Sequence, residues 1–235
     1  MAVVTVSGQP GTGAHDIGRL AAQHLGLDYV DQEILVEAAR TLGVPMESVV
    51  SLDERTATLG ERLAGMLRRF LESSAAAGAG DPMLGTGGLD MVLGRTYGQA
   101  AAGEGLHDVS EERYITTLTS VIRDLAAHDN VLIIGRGSQV VLRDRPGAMH
   151  VLLIAPLEHR IEDFARRQGL SREDAAKRAQ EHARGRAAFH QKFFKINVDD
   201  PTLYDLTLNT ARFSVEEAAQ LIGAAAQRLA AHQPS

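Results

Sequence analysis

The sequence predicts an α/β protein, a doubly wound parallel sheet of about five strands. Short β-branched apolar runs alternate with stretches of helical spacing from one end to the other. The first run leads directly into a glycine loop and then a helix. The chain has 235 residues, 44% hydrophobic and 23% charged, which is globular composition and not that of a disordered or membrane-spanning chain.

Ala2-Val3-Val4-Thr5-Val6 has no polar face, which suits the centre of a parallel sheet. The loop Ser7-Gly8-Gln9-Pro10-Gly11-Thr12-Gly13 follows, and then Ile17, Leu20, Ala21 and Leu25 recur at helical spacing. Leu27–Asp31 reads as a short second strand. Gln32–Leu42 reads as a helix stopped by Gly43 and Pro45. Residues 56–72 are expected to be helical, with Leu59, Leu63, Met66, Leu67 and Phe70 on one side. Residues 74–105 hold nine of the 23 glycines and two alanine triplets, a loosely structured insert or a mobile loop. Order returns with a helix over 111–127 capped by Ser110, a strand Val131–Ile134 running into Gly135-Arg136-Gly137, a strand Val151–Ile154 and a helix over 156–168. Ser171 opens a long basic helix with Glu173 and Asp174 in its first turn. Asp205–Asn209 reads as the last strand, and Ser214 with Glu217 forms a capping box for the final helix. In a parallel sheet the segments that follow the strands gather at one edge, so Gly8–Gly13, Asp31, Arg136 and Asn209 are expected together.

The spacing Gly8 to Gly13 fits G-x-x-x-x-G, but Ala14 and His15 stand where a phosphate-binding P-loop carries lysine and Ser/Thr. A glycine loop entering a helix exposes backbone N–H groups and the positive end of the helix dipole, which binds phosphate without a lysine. Gly8, Gly11, Thr12, Gly13, Ala14 and His15 are the candidate donor-phosphate residues. Spacing alone leaves two other readings open. One is a glycine-rich turn with no ligand. The other is a dinucleotide site with Asp31 on a ribose, against which stands the glycine order G-x-x-G-x-G.

The absence of cysteine excludes disulfides and zinc–thiolate sites. The nine histidines lack H-x-x-x-H or H-E-x-x-H spacing, so no metal site is expected in the protein itself. No stretch is apolar enough to span a membrane and no basic leader precedes an apolar core, which fits a cytoplasmic protein with no membrane partner. A net charge of -6 argues against a general nucleic-acid binder. Against that background, Arg160–Lys195 holds ten Lys and Arg and only five Asp and Glu, which suggests a local anion site.

The sequence resembles the cytidylate kinase-like proteins, a branch of the P-loop nucleoside monophosphate kinases. The resemblance covers nearly the whole chain and is weakest over 74–105. It rests on Thr5-Val6-Ser7, Leu25-Gly26, Tyr29–Leu35, Gly135-Arg136-Gly137, Leu142–Pro146, Ala155–Arg160, Gly169–Glu173, Asp199-Asp200-Pro201 and Tyr204–Thr210. Members commonly lack the P-loop lysine and carry a small residue followed by arginine. His15 in place of that arginine is a departure.

The resemblance implies one P-loop kinase-like domain over 1–235, with an acceptor-side insert at 56–110 and a lid-like segment at 171–200. It implies ATP and Mg2+ as cofactors and a nucleoside monophosphate as acceptor. Asp31 would orient the acceptor or a magnesium-bound water, or else cap the following helix. Arg136 would grip the acceptor phosphate through its bidentate fork, or else form an ion pair at a strand end. True cytidylate kinases carry a ribose-contacting aspartate where this chain has Gly137. Arg184 and Arg186 resemble lid arginines; two residues apart on a helix, only one of them can face the site. Lys192 and Lys195 could replace the missing loop charge, and Arg62, Arg68, Arg69 and Arg95 could contribute from the insert. Tyr204 is expected to pack and not to stack on a base. The competing functions are a nucleotide-binding regulatory protein without turnover and a nicotinamide-dinucleotide oxidoreductase. A homodimer would cover Met83, Leu84, Leu89, Met91, Val92 and Leu93.

Overall fold

The computed structural model describes residues 2–31 and 108–231. The expected helices over 32–42 and 56–72, the insert arginines, the glycine-rich stretch and the apolar residues behind the dimer expectation lie outside the described residues.

The described elements alternate: β1 (Val3–Gly8), α1 (Ala14–Leu25), β2 (Asp28–Val30), α2 (Asp108–Ala127), β3 (Val131–Ile134), α3 (Ser138–Val141), β4 (Ala148–Ile154), α4 (Leu157–Gln168), α5 (Arg172–Phe194), a 3-10 turn (Pro201–Leu203), β5 (Leu206–Asn209) and α6 (Val215–Ala231). The five strands form one all-parallel sheet in the order β2-β3-β1-β4-β5. The α/β expectation of about five parallel strands holds, and β1 is central. It pairs with β3 from Val3↔Val131 and with β4 from Val3↔Ala148. A dinucleotide fold places β2 beside β1. Here β3 lies between them, so that reading of the glycine loop loses its structural basis.

Val4 and Val6 of β1 point to one face, where Leu132, Ile134, Val151 and Leu153 join them. Ile17, Ala21 and Ala22 of α1 and Ala218, Ala219, Ile222 and Ala226 of α6 cover that face. Small residues on both helices allow close approach to the sheet. Val3, Val131 and Ile133 are equally buried, so the strands are apolar on both faces. In α2, Leu118, Val121, Ile122 and Leu125 form a buried stripe at helical spacing.

Two predicted caps are present. Ser171 Oγ accepts from the Asp174 N–H at 3.1 Å. Ser214 and Glu217 cap each other reciprocally, at 3.2 Å from the Glu217 N–H to Ser214 Oγ and 2.8 Å from the Ser214 N–H to Glu217 Oε2. Ser110 lies inside α2 and is not its N-cap. The third long strand begins at Ala148, three residues before the apolar run suggests. His150 makes that start look polar in sequence. In the fold its Nδ1 meets Thr5 Oγ1 at 2.8 Å across the β1–β4 pair, and burial lowers its pKa.

Candidate active site

Because the sheet is all parallel, the loops after β1, β2, β3 and β5 share one edge, as expected. β1 ends at Gly8. The Gln9 N–H still bonds Leu153 O at 2.9 Å, and the Gln9 side chain accepts from the Ala155 N–H at 3.3 Å. Thr12 closes the loop onto Gln9 O through its N–H (3.2 Å) and its hydroxyl (2.7 Å). Gly11 and Gly13 hold φ of 88° and 71°, a left-handed region that only glycine enters without strain. Gly13 caps α1 and offers no side chain to its first-turn N–H groups. The first bond back to the loop comes from Ile17 to Gly13 O at 3.0 Å. The amides of Ala14, His15 and Asp16 therefore precede the helix's own hydrogen bonding, the arrangement that receives an anion.

The second wall is α4. A side chain at Gly11 would lie 2.6 Å from Arg160 O, so the loop tip rests on the α4 backbone. Arg160 donates from Nε to Ala155 O at 3.1 Å, and burial lowers its pKa. One α4 end reaches α1: Arg167 pairs with Asp16 at 2.6 Å and with Asp163 at 2.8 Å. Those two carboxylates raise the Arg167 pKa, with the hydrogen bond to Asp163 the largest cause.

The third wall is α5. His182 meets the Phe164 ring edge-on at 5.6 Å. Arg186 is buried and spans two elements, donating from Nη2 to Ser7 Oγ at 2.9 Å and from Nη1 to Asp199 Oδ1 at 2.7 Å. The three walls enclose a cavity of about 320 Å³ lined by the whole loop, with Phe164, Arg167, His182 and Arg186 among the residues facing it.

All six candidate phosphate residues, Gly8, Gly11, Thr12, Gly13, Ala14 and His15, line this cavity. His15 Nδ1 also lies 3.2 Å from the Tyr29 hydroxyl, whose pKa is raised mainly by burial. Of the basic lid candidates, Arg186 lines the cavity, while Arg184 is exposed on another face of α5. Lys192 lies 5.4 Å over the Phe193 ring, and Lys195 is exposed with φ of 57° at the end of α5. Neither lysine lines the cavity. Asp31 follows β2, on the far side of β3 from the loop. Arg136 follows β3; it is 4% exposed, 5.7 Å over the Phe189 ring, and outside the cavity lining.

Arg167 was not singled out from sequence, and neither was the pairing of Arg186 with Ser7 and Asp199. The basic stretch announced that arginines gather here, but their facing depends on how α4 and α5 pack on the loop.

A model of the cytidylate kinase-like family matches residues 3–212. The chain belongs to that family. It is 27% identical over 225 residues to a cytidylate kinase of Methanopyrus kandleri, covering 95% of this chain and 92% of that one. It is 29% identical over 157 residues to a cytidylate kinase of Natronomonas pharaonis, covering 60% and 80%. A solved structure of an uncharacterized protein from Eubacterium ventriosum matches with a TM-score of 0.62 at 13% identity, over 97% of this chain and 99% of that one, a likeness of fold.

In this cytidylate kinase-like chain, glycine at 137 has a structural reason. Its φ is 79°, and a Cβ there would lie 2.3 Å from the Phe194 ring. The end of α5 occupies the space that a side chain at 137 would need.

The loop fits a phosphate chain by its open amides and close glycines. Among the described residues no group of three or more His, Cys, Asp or Glu is placed to hold a metal ion. No helix of the described residues is long and apolar enough to cross a membrane.

Proposed function

We propose that this protein transfers a phosphoryl group from ATP to a nucleoside monophosphate, with a cytidylate-like acceptor. The observation that carries the reading is a cavity in which a lysine-less glycine loop meets Arg167 and Arg186. Phosphoryl transfer asks mainly for positioning and charge neutralisation, and this cavity offers both. An acceptor phosphate oxygen bonds to the γ-phosphorus as the bond to the bridging β–γ oxygen breaks, and ADP leaves.

In this reading the amides of Gly8–His15 hold the donor phosphates. Arg186, from α5, and Arg167, from α4, both line the cavity and would supply the donor phosphates with the positive charge that Ala14 lacks. Mg2+ would enter on the nucleotide phosphates, where it supplies further charge neutralisation. Arg136 and Asp31, one and two strands away from the loop, would serve the acceptor. The segment 171–200, with α5 at its centre, would form the lid together with α4, and the residues 56–110 would complete the acceptor side. We further propose a cytoplasmic protein that acts on nucleotides and not on nucleic acid or membranes.

A coupled assay of ADP release, run with ATP, Mg2+ and each common nucleoside monophosphate, tests the reading. Turnover is expected with a pyrimidine monophosphate. Background rates with every acceptor would refute it. A second reading, a nucleotide-binding regulatory protein without turnover, is favoured by Ala14 and by the Phe194 ring over Gly137. Tight ATP binding with no turnover would select it.

A further inference from the structure

The geometry points to Asp199 as a positioning residue for the phosphoryl-transfer step, fixing the Arg186 guanidinium against Ser7 beneath the glycine loop. This role rests on the kinase reading above.

Arg186 is 6% exposed, and each end of its fork meets a different element. Nη2 bonds Ser7 Oγ, on the strand that enters the loop, and Nη1 bonds Asp199 Oδ1, beyond the end of α5. A planar guanidinium held at both ends has its plane and position determined. Both anchors are themselves held. Ser7 is buried within β1, paired across to Leu152. The Asp199 N–H bonds Asn197 Oδ1 at 3.1 Å, and Asp200 caps the next turn by accepting from the Thr202 N–H at 2.9 Å.

Tyr204 ties the same segment to α3. Its hydroxyl donates to Val198 O at 2.8 Å and accepts from Gln139 Nε2 at 3.3 Å. Arg160, the α4 residue on which the loop tip rests, is also influenced by the charges of Asp199 and Arg186. The segment after α5 is thus braced so that one carboxylate meets one buried arginine. A cation fixed in advance stabilises developing charge without reorganising during the reaction.

Two effects of removing Asp199 have opposite signs. Loss of a negative charge beside the loop favours binding of anionic ATP. Loss of the anchor lets Arg186 turn away from the place where transition-state charge develops, and small misplacements cost large factors in rate. Turnover and ATP affinity should therefore separate.

The test measures kcat, KM for each nucleotide, ATP affinity by calorimetry, and the melting temperature, for wild type, Asp199→Ala, Asp199→Asn and Ser7→Ala. Asp199→Ala is expected to lose about tenfold or more in kcat with ATP affinity unchanged or tighter. Asp199→Asn keeps an oxygen acceptor of the same shape and should recover most of that loss. Ser7→Ala frees the other end of the fork and should lower kcat in the same way; it decides the matter if Asp199→Ala does not fold. Unchanged kcat in Asp199→Ala and Ser7→Ala overturns the inference, as does a parallel fall in kcat, ATP affinity and melting temperature. An Asp199→Asn variant as impaired as the alanine variant also overturns it, because charge and not position would then be the cause. A wild-type protein inactive with every monophosphate refutes the kinase reading itself, and this role with it.

Discussion

Replacing Gly137 with alanine should destabilise the protein, and the cost should depend on Phe194. Two terms contribute. With φ at 79° the residue sits in the left-handed region, which costs a Cβ-bearing residue about 1–2 kcal/mol. The new Cβ would also lie 2.3 Å from Phe194 Cε2 and 2.5 Å from Cζ, so the ring must move. That ring packs against Phe189 and His190, each with centroids 6.1 Å away. Overpacking of this kind costs about 1–3 kcal/mol. The sum is about 2–5 kcal/mol, read as a lower urea midpoint at unchanged slope. In a Phe194→Ala background only the backbone term remains, so Gly137→Ala should cost about 1–2 kcal/mol there. Equal cost in both backgrounds would refute the steric account. A neutral Gly137→Ala in the parent would refute both terms. The outcome bears on why position 137 is glycine, because the Phe194 ring fills the space a side chain there would need.

Two further predictions follow from the cavity and its surroundings. Arg167→Ala breaks partly exposed ion pairs, so stability should change by about 1 kcal/mol or less, while ATP affinity measured by calorimetry should fall about tenfold or more; unchanged affinity would remove Arg167 from the site. Burial is the main cause that lowers the His190 pKa to about 4, and the neighbouring Arg186 and Arg136 charges also oppose its protonation. An unfolded histidine titrates near ~6.5, so the unfolded chain binds the extra proton first as pH falls. Stability held above that value is lost progressively between pH ~6.5 and about 4, in total about 3 kcal/mol. Urea unfolding at pH 7 and pH 4 should show a smaller acid loss for His190→Gln than for wild type; equal losses would contradict the assignment.

The glycine loop was legible because its signals are local. A β-branched run, three glycines and an amphipathic helix set its shape before any tertiary contact forms. The caps at Ser171 and Ser214 were legible for the same reason. The start of β4 was hidden because His150 is polar, and only the Thr5 hydroxyl across the sheet makes that position suit a strand interior. The short helix α3 gave no periodic signal over its four residues. In the site, sequence supplied the basic stretch and the rule that Arg184 and Arg186 face apart. It could not choose between them, since Arg186 is defined by Ser7, 179 positions earlier in the chain. Arg167 escaped notice because its partner Asp16 belongs to the first helix, and nothing local links them.

The most direct test of the central claim, that α4 and α5 supply the charge missing from the loop, compares Arg186→Ala with Arg184→Ala at saturating ATP and acceptor. Both remove one positive charge from the same helix, but only Arg186 faces the cavity. We predict that Arg186→Ala loses about 100-fold or more in kcat, as expected for a group that stabilises transition-state charge, while Arg184→Ala stays within about threefold of wild type, as a solvent-facing arginine should. Equal losses in the two variants, or full turnover by Arg186→Ala, would contradict the account.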